Sequence, residues 1–194
     1  MIELKLPVDE KSIRILKVGD EVLLNGRLVT GRDAAHAWLV KERPDFVRNL
    51  LKDTMIYHCG PVVKKTGDSW EFVAAGPTTS IREEPYQGTV IQEYGLRGVI
   101  GKGGMGQGTL KALEENGAVY LHAIGGLATL IAESVVKVYT VLKLEEFGVP
   151  EAMWVIDVRN FPAVVTMDSH GGSLHDNIFI QSDKIRKKLL NIDI

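Results

Sequence analysis

Val99-Ile-Gly-Lys-Gly-Gly-Met-Gly106, with the seventeen or so residues that follow it, decides the fold. Val99-Ile100 ends a short buried strand. Residues 109–116 read as a helix that Gly117 closes, because glycine takes the left-handed backbone at a helix C-terminus without steric cost. Residues 119–123 are apolar and strand-like again, and Gly125-Gly126 opens a further helix running to about residue 135. Strand, glycine-rich loop, helix and strand in that order predict a mixed or parallel sheet with covering helices.

Working outward, residues 13–16 and 21–24 read as short strands, separated by Val18-Gly-Asp20 and closed by a hairpin-like Asn25-Gly26. Residues 33–42 read as a helix: Asp33 caps it, Ala34, Ala35 and Ala37 favour it, and Pro44 stops it. Residues 55–58, 62–63 and 70–74 are strand-like, the last two joined by a turn at 64–68. Residues 138–144 and 153–158 are strands, the second alternating Trp154, Ile156 and Val158. Residues 163–166 form a short apolar strand leading into Asp168-Ser-His-Gly-Gly172, and 183–190 read as a basic amphipathic helix lying on the surface. No linker interrupts the series. The expected fold class is α/β, with mixed sheets, covering helices and a β-rich N-terminal layer, in one domain over residues 1–194.

The 194 residues suffice for a sizeable core, and 45% hydrophobic with 25% charged residues is an ordinary globular composition. A formal net charge of −2 provides no broad basic field for nucleic acid or an anionic membrane, so cationic groups must act locally. The single cysteine, Cys59, permits no internal disulfide and reads as a small buried residue in a reducing cytoplasm. Met1-Ile-Glu-Leu-Lys-Leu-Pro7 alternates like a strand and lacks a signal-peptide core. No apolar run reaches the roughly eighteen residues that span a bilayer. The expectation is a cytoplasmic protein.

Three polar clusters stand where apolar runs give way to Gly, Ser or Thr: Thr30-Gly-Arg-Asp-Ala-Ala-His36, Gly76-Pro-Thr-Thr-Ser-Ile-Arg82 and Gly101-Lys-Gly-Gly-Met-Gly106. Such positions deliver side chains from a rigid scaffold to a site. Arg32 and Arg82 offer planar forks that grip carboxylates, and Lys102 adds a movable point charge. With Thr78 and His36 available for proton transfer, the set points to an anion site, and to a dicarboxylate in particular. Gly101 to Gly106 also satisfies GxGxxG between a strand and a helix. Yet the next strand ends His122-Ala-Ile-Gly-Gly, without the acidic residue that would hold a ribose, and no Ser or Thr follows Lys as in a Walker loop. A non-catalytic anion- or nucleotide-binding module using residues 101–108 is the alternative reading. Asp168, His170 and His175 match no strong metal-ligand spacing, so no metal site is expected on this chain.

With these loops in view, the chain resembles the β subunit of the iron–sulfur hydro-lyases, class I fumarate hydratase and its sibling L-tartrate dehydratase. The resemblance rests on residues 76–82 and 100–106, Arg32-Asp-Ala-Ala-His36, His58-Cys-Gly-Pro61, Pro150-Glu-Ala-Met-Trp154 and Thr166-Met-Asp-Ser-His-Gly171. It implies a swivelling β/β/α domain that pairs with an α subunit, in a dimer of heterodimers. It also implies a 4Fe-4S cluster held by the α subunit and not by this chain. Within this sequence the resemblance makes Arg32, Arg82 and Lys102 the substrate-binding residues. The base is Thr78 by one proposal and His36 by another. The implied reaction is reversible hydration of fumarate to (S)-malate, with dehydration of tartrate to oxaloacetate as the sibling chemistry.

Overall fold

A computed structural model describes residues 1–191. The chain runs β1 (Ile2–Leu6), α1 (Glu10–Arg14), β2 (Glu21–Thr30), α2 (Asp33–Glu42), α3 (Asp45–Leu51), β3 (Met55–Tyr57), β4 (Val62–Thr66) and β5 (Ser69–Ala74). A 3₁₀ turn (Ser80–Glu83) leads into α4 (Glu84–Tyr94), β6 (Gly98–Gly101), α5 (Gln107–Asn116), β7 (Val119–His122) and α6 (Ala128–Glu133). Then come β8 (Val135–Leu142), α7 (Leu144–Phe147), β9 (Met153–Met167) and α8 (Leu174–Leu189). The α/β class expected from the sequence is what forms.

Strands β2, β3, β6 and β7 pair successively in parallel, the arrangement that helical crossovers permit. The long β9 then pairs antiparallel with both β7 and β2, so these five ladders close on themselves. Closure removes the unpaired strand edges that an open sheet would expose. β1 extends the sheet beside β2, β8 lies beside β9, and β4 with β5 makes a separate hairpin.

Alternation along the strands separates two cores, because successive side chains point to opposite faces. Val29, Ile56, Val99, Tyr120 and Val155 face the helices and pack with Trp38, Leu39, Ile91 and Leu113. Their neighbours Leu28, Tyr57, Ile100, Leu121 and Ile156 join Leu24, Trp154 and Phe161 on the other side. A fully buried aliphatic or aromatic side chain stabilises by about 1.5–3 kcal/mol, so both faces resist a slip of register.

Several local expectations change. Residues 13–16 are not a strand: α1 forms there, because the Asp9 side chain accepts the Ser12 N–H at 2.8 Å and caps it. Asn25-Gly26 is not a turn but a bulge inside one ten-residue strand, β2. A Cβ at Gly26 would stand 2.4 Å from the Leu6 carbonyl oxygen, so only glycine lets β1 lie this close. Residues 153–158 and 163–166 are one fifteen-residue strand, bent at Asn160, whose N–H donates to Asn25 Oδ1 at 2.9 Å. The expected helix after Gly125-Gly126 is shorter, and the tail helix starts earlier, at Leu174.

Candidate functional site

Because β2, β3 and β6 run parallel, their carboxyl ends open on one edge, where loops of α/β sheets build binding sites. Arg32 follows β2, His58-Cys59-Gly60 follow β3, and Lys102 follows β6. The segment between β5 and α4 is sewn across these ends. Thr78 N–H donates to the His58 carbonyl at 2.7 Å, Lys102 N–H to the Thr78 carbonyl at 3.2 Å, and Ser80 N–H to the Lys102 carbonyl at 3.0 Å. Two of the three polar clusters, those bearing Thr78 and Lys102, are thereby locked together by backbone hydrogen bonds.

The cations differ in how they are held. Arg32 Nη1 lies 3.1 Å from Glu151 Oε1 and is largely covered; a Cβ at Gly60 would stand only 2.7 Å from it. Arg82 pairs with Asp33, the residue after Arg32, and its side chain is 57% exposed. An ion pair that exposed is worth only about 0–1 kcal/mol, so Arg82 can exchange its partner for a ligand carboxylate. Lys102 is half-buried and has no ion-pair partner among the described residues. The Thr78 hydroxyl, also half-buried, donates to the His58 carbonyl at 3.1 Å.

Beneath this surface runs a buried polar chain. His36 is fully buried, with Nδ1 at 2.9 Å from the Arg32 carbonyl and Nε2 at 3.0 Å from Gln87 Oε1. The same Gln87 oxygen lies 2.8 Å from His58 Nε2, and His58 Nδ1 lies 2.9 Å from Ser80 Oγ, which also accepts the Tyr120 hydroxyl at 2.9 Å. Burial pushes the His36 pKa below its usual range, against the hydrogen bonds to Arg32 and Gln87. Burial and then the neighbouring His36 push His58 lower still, so both rings stay neutral at neutral pH. His36 therefore stands behind Arg32, enclosed between the Arg32 carbonyl and the Gln87 side chain, whereas Thr78 is half-buried. The sequence singled out neither Gln87, Ser80 nor Tyr120 for a role; His58 was visible only as part of His58-Cys-Gly-Pro61.

The glycine-rich loop makes room for protein rather than ligand. A Cβ on Gly101 would fall 1.9 Å from Ser80 Oγ and 3.1 Å from the Tyr120 hydroxyl. The N-terminus of α5 is already filled by the Glu84 carboxylate, which accepts from Gly106 N–H at 2.7 Å, Thr109 N–H at 3.1 Å and the Thr109 hydroxyl at 2.7 Å. A phosphate would have to displace a bound carboxylate there, which weighs against the nucleotide-binding alternative.

Asp168 is a loop clamp. It accepts backbone N–H groups of Val18 at 3.1 Å, His170 at 3.0 Å and Gly172 at 2.9 Å. Burial pushes its pKa up, but these donors outweigh it and hold the carboxyl below its usual range. His170 Nε2 lies 2.8 Å from the Arg14 carbonyl and His175 Nε2 lies 3.2 Å from Thr166 Oγ1. Among the described residues no group of three or more His, Cys, Asp or Glu could hold a metal ion. Cys59 is buried, and desolvation pushes its thiol up to about 12 despite the Arg32 charge. No described helix is long and apolar enough to cross a membrane.

Comparison with known proteins places this geometry in context. The family model described as fumarase C-terminus matches residues 1–178. The chain is 55% identical, over 92% of its length, to a protein of Geobacillus stearothermophilus assigned as a class I fumarate hydratase, and spans only 34% of that protein. It is 42% identical to a Methanocaldococcus jannaschii protein assigned as an L(+)-tartrate dehydratase subunit beta, covering 93% of this chain and 92% of the relative. Against the L(+)-tartrate dehydratase subunit beta of Escherichia coli K12 it is 38% identical, covering 88% and 85%.

Proposed function

The chain belongs to the fumarase C-terminal family, and on that premise we propose that it is the β subunit of an iron–sulfur-dependent hydro-lyase that reversibly hydrates fumarate to (S)-malate. The observation that carries this reading is the gathering of Arg32, Thr78, Arg82 and Lys102 around the carboxyl ends of β2, β3 and β6. A second reading, dehydration of tartrate to oxaloacetate, is favoured by a different observation: the relatives of matching length bear the tartrate dehydratase name. Both substrates are dicarboxylates and would use the same clamp.

Arg32 and Arg82 hold the two carboxylates, and Lys102 stabilises the charge that spreads into one of them as the carbon-bound proton leaves. Thr78 Oγ takes that proton. A hydroxyl is a weak base, so this role needs the neighbouring cations and exclusion of water to favour its deprotonated form. The chain's own donors do not fit a 4Fe-4S cluster, since one buried cysteine with a raised pKa cannot supply several thiolates. We assign the cluster to an α subunit, which would also cover the site. We further assign the pair to a dimer of heterodimers in the cytoplasm, with this chain as one domain.

Replacing Arg82 by Lys tests the clamp, because Lys cannot reproduce a two-pronged grip. In the assembled enzyme kcat/KM for fumarate should fall by at least ~10²-fold, corresponding to about 2.7 kcal/mol. An unchanged value removes Arg82 from the site.

A further inference from the structure

The two arginines at the site each precede a carboxyl residue, Arg32-Asp33 and Arg82-Glu83, and the fold brings those two carboxyl groups together. Glu83 is only 1% exposed, and its carboxyl lies within hydrogen-bond reach of Asp33. Asp33 Oδ2 holds Arg82. The remaining buried oxygens, Asp33 Oδ1 and Glu83 Oε2, have no donor anywhere else in the described protein. Two ionised carboxylates facing each other in such a place would repel and leave both oxygens unsatisfied; one proton between them removes both penalties.

We propose that Asp33 and Glu83 share a single proton, so that the pair presents one negative charge to Arg82 and Glu83 acts as a positioning residue for the dicarboxylate clamp. The inference rests on the clamp role given above to Arg82. The other groups facing Glu83 are Arg82 on its own turn and the Tyr120 phenol from β7, which burial keeps protonated. Asp33 also faces His36 of α2, which is neutral. Glu84, next in the chain, is turned toward Gly106 and Thr109. Desolvation, reinforced by Asp33, pushes the Glu83 carboxyl up to about 8. At neutral pH the pair then balances Arg82 one for one, leaving Lys102 uncompensated to attract substrate. Loss of the proton adds a negative charge beside Arg82, tightening its internal pairing and repelling an incoming dicarboxylate.

The sign for stability follows. The folded chain keeps a proton that an unfolded glutamate has already released above pH ~4.3. Stability therefore declines as pH rises from that point through about 8, and Glu83→Gln removes this slope.

Two measurements on intact protein test the pair. In the full chain carrying carbon-13 glutamate, the Glu83 carboxyl, identified by its absence in Glu83→Gln, should titrate with a midpoint near 8. Asp33→Asn, which removes the neighbouring charge, should lower that midpoint. In the complex with the α subunit, KM for fumarate should rise about tenfold, equivalent to roughly 1.4 kcal/mol, between pH 7 and 9.5, and Glu83→Gln should hold KM within about twofold. A Glu83 midpoint in the ordinary carboxyl range, or an alkaline rise in KM that survives Glu83→Gln, overturns the shared proton. An Arg82→Lys complex with unchanged kcat/KM overturns the clamp and the role built on it, even with the midpoint near 8.

Discussion

Thr78 and His36 compete for the proton-transfer role on sequence alone, and the two differ in burial, which is why we propose Thr78. His36 is wholly enclosed, its two nitrogens lying against the Arg32 carbonyl and the Gln87 amide, whereas Thr78 is half-exposed beside Lys102. Thr78→Ala should lower kcat by ~10²–10⁴-fold and abolish solvent isotope exchange at the proton-bearing carbon of malate. His36→Ala should retain exchange while losing about 1–3 kcal/mol of stability, as Gln87 and the Arg32 carbonyl lose a buried partner. Exchange that survives Thr78→Ala but vanishes with His36→Ala reverses the assignment. At this scale the residues proposed for the site carry a local signal in the sequence: Arg32, Thr78, Arg82 and Lys102 each sit in a Gly- or Thr-rich break after an apolar run. The residues that support them carry none. Gln87 and Glu83 lie in a hydrophilic stretch with no local signature, and Gln87 acts only through His36, 51 residues away, and His58, 29 residues away.

Helix α5 was readable almost to its ends because Gly117 closes it in the left-handed conformation, whereas α4 passed unnoticed. A mid-helix Gly88 lowers the propensity of α4, and it sits where α4 packs on α5, a Cβ there standing at an ordinary contact distance of 3.6 Å from Ala112 Cβ. The reward for that packing is Glu84, which reaches from the first turn of α4 to the N-terminus of α5. Its carboxylate satisfies otherwise unpaired N–H groups and the positive end of the helix dipole. Glu84→Ala should cost about 1–3 kcal/mol and lower Tm by roughly 2–4 °C per kcal/mol for a chain of this size. A melt indistinguishable from wild type would show that the cap carries no weight. The bulge at Asn25-Gly26 misleads in the opposite direction, since its dipeptide is a strong hairpin signal, but contacts with β1 and β9 override it.

Over the whole molecule, ring closure was beyond local reading, because β9 pairs Val164 with Glu21 and Ala163 with Val22 from the opposite end of the chain. That closure puts the carboxyl ends of β2, β3 and β6 on one open edge, where Arg82 is exposed, Lys102 is half-buried and Arg32 is largely covered by Glu151. Charges that reach solvent, as those of Arg82 and Lys102 do, are screened over ~8–10 Å at ordinary ionic strength, so the chain by itself should hold a dicarboxylate weakly and with strong salt dependence. Cover by a partner would lower the local dielectric and strengthen each contact. Treated alone with iron and sulfide, the chain should stay colourless, since it has one cysteine; a stable brown product with a stoichiometric cluster would argue against the division of labour. We propose that this chain supplies the cationic half of a two-subunit hydro-lyase site. Fumarate turnover measured while the chain is titrated into a fixed amount of α subunit tests it most directly. Neither chain alone should turn over substrate, and the rate should saturate at equal stoichiometry; turnover by this chain without its partner, or none from the fully assembled pair with either fumarate or tartrate, would rule the shared site out.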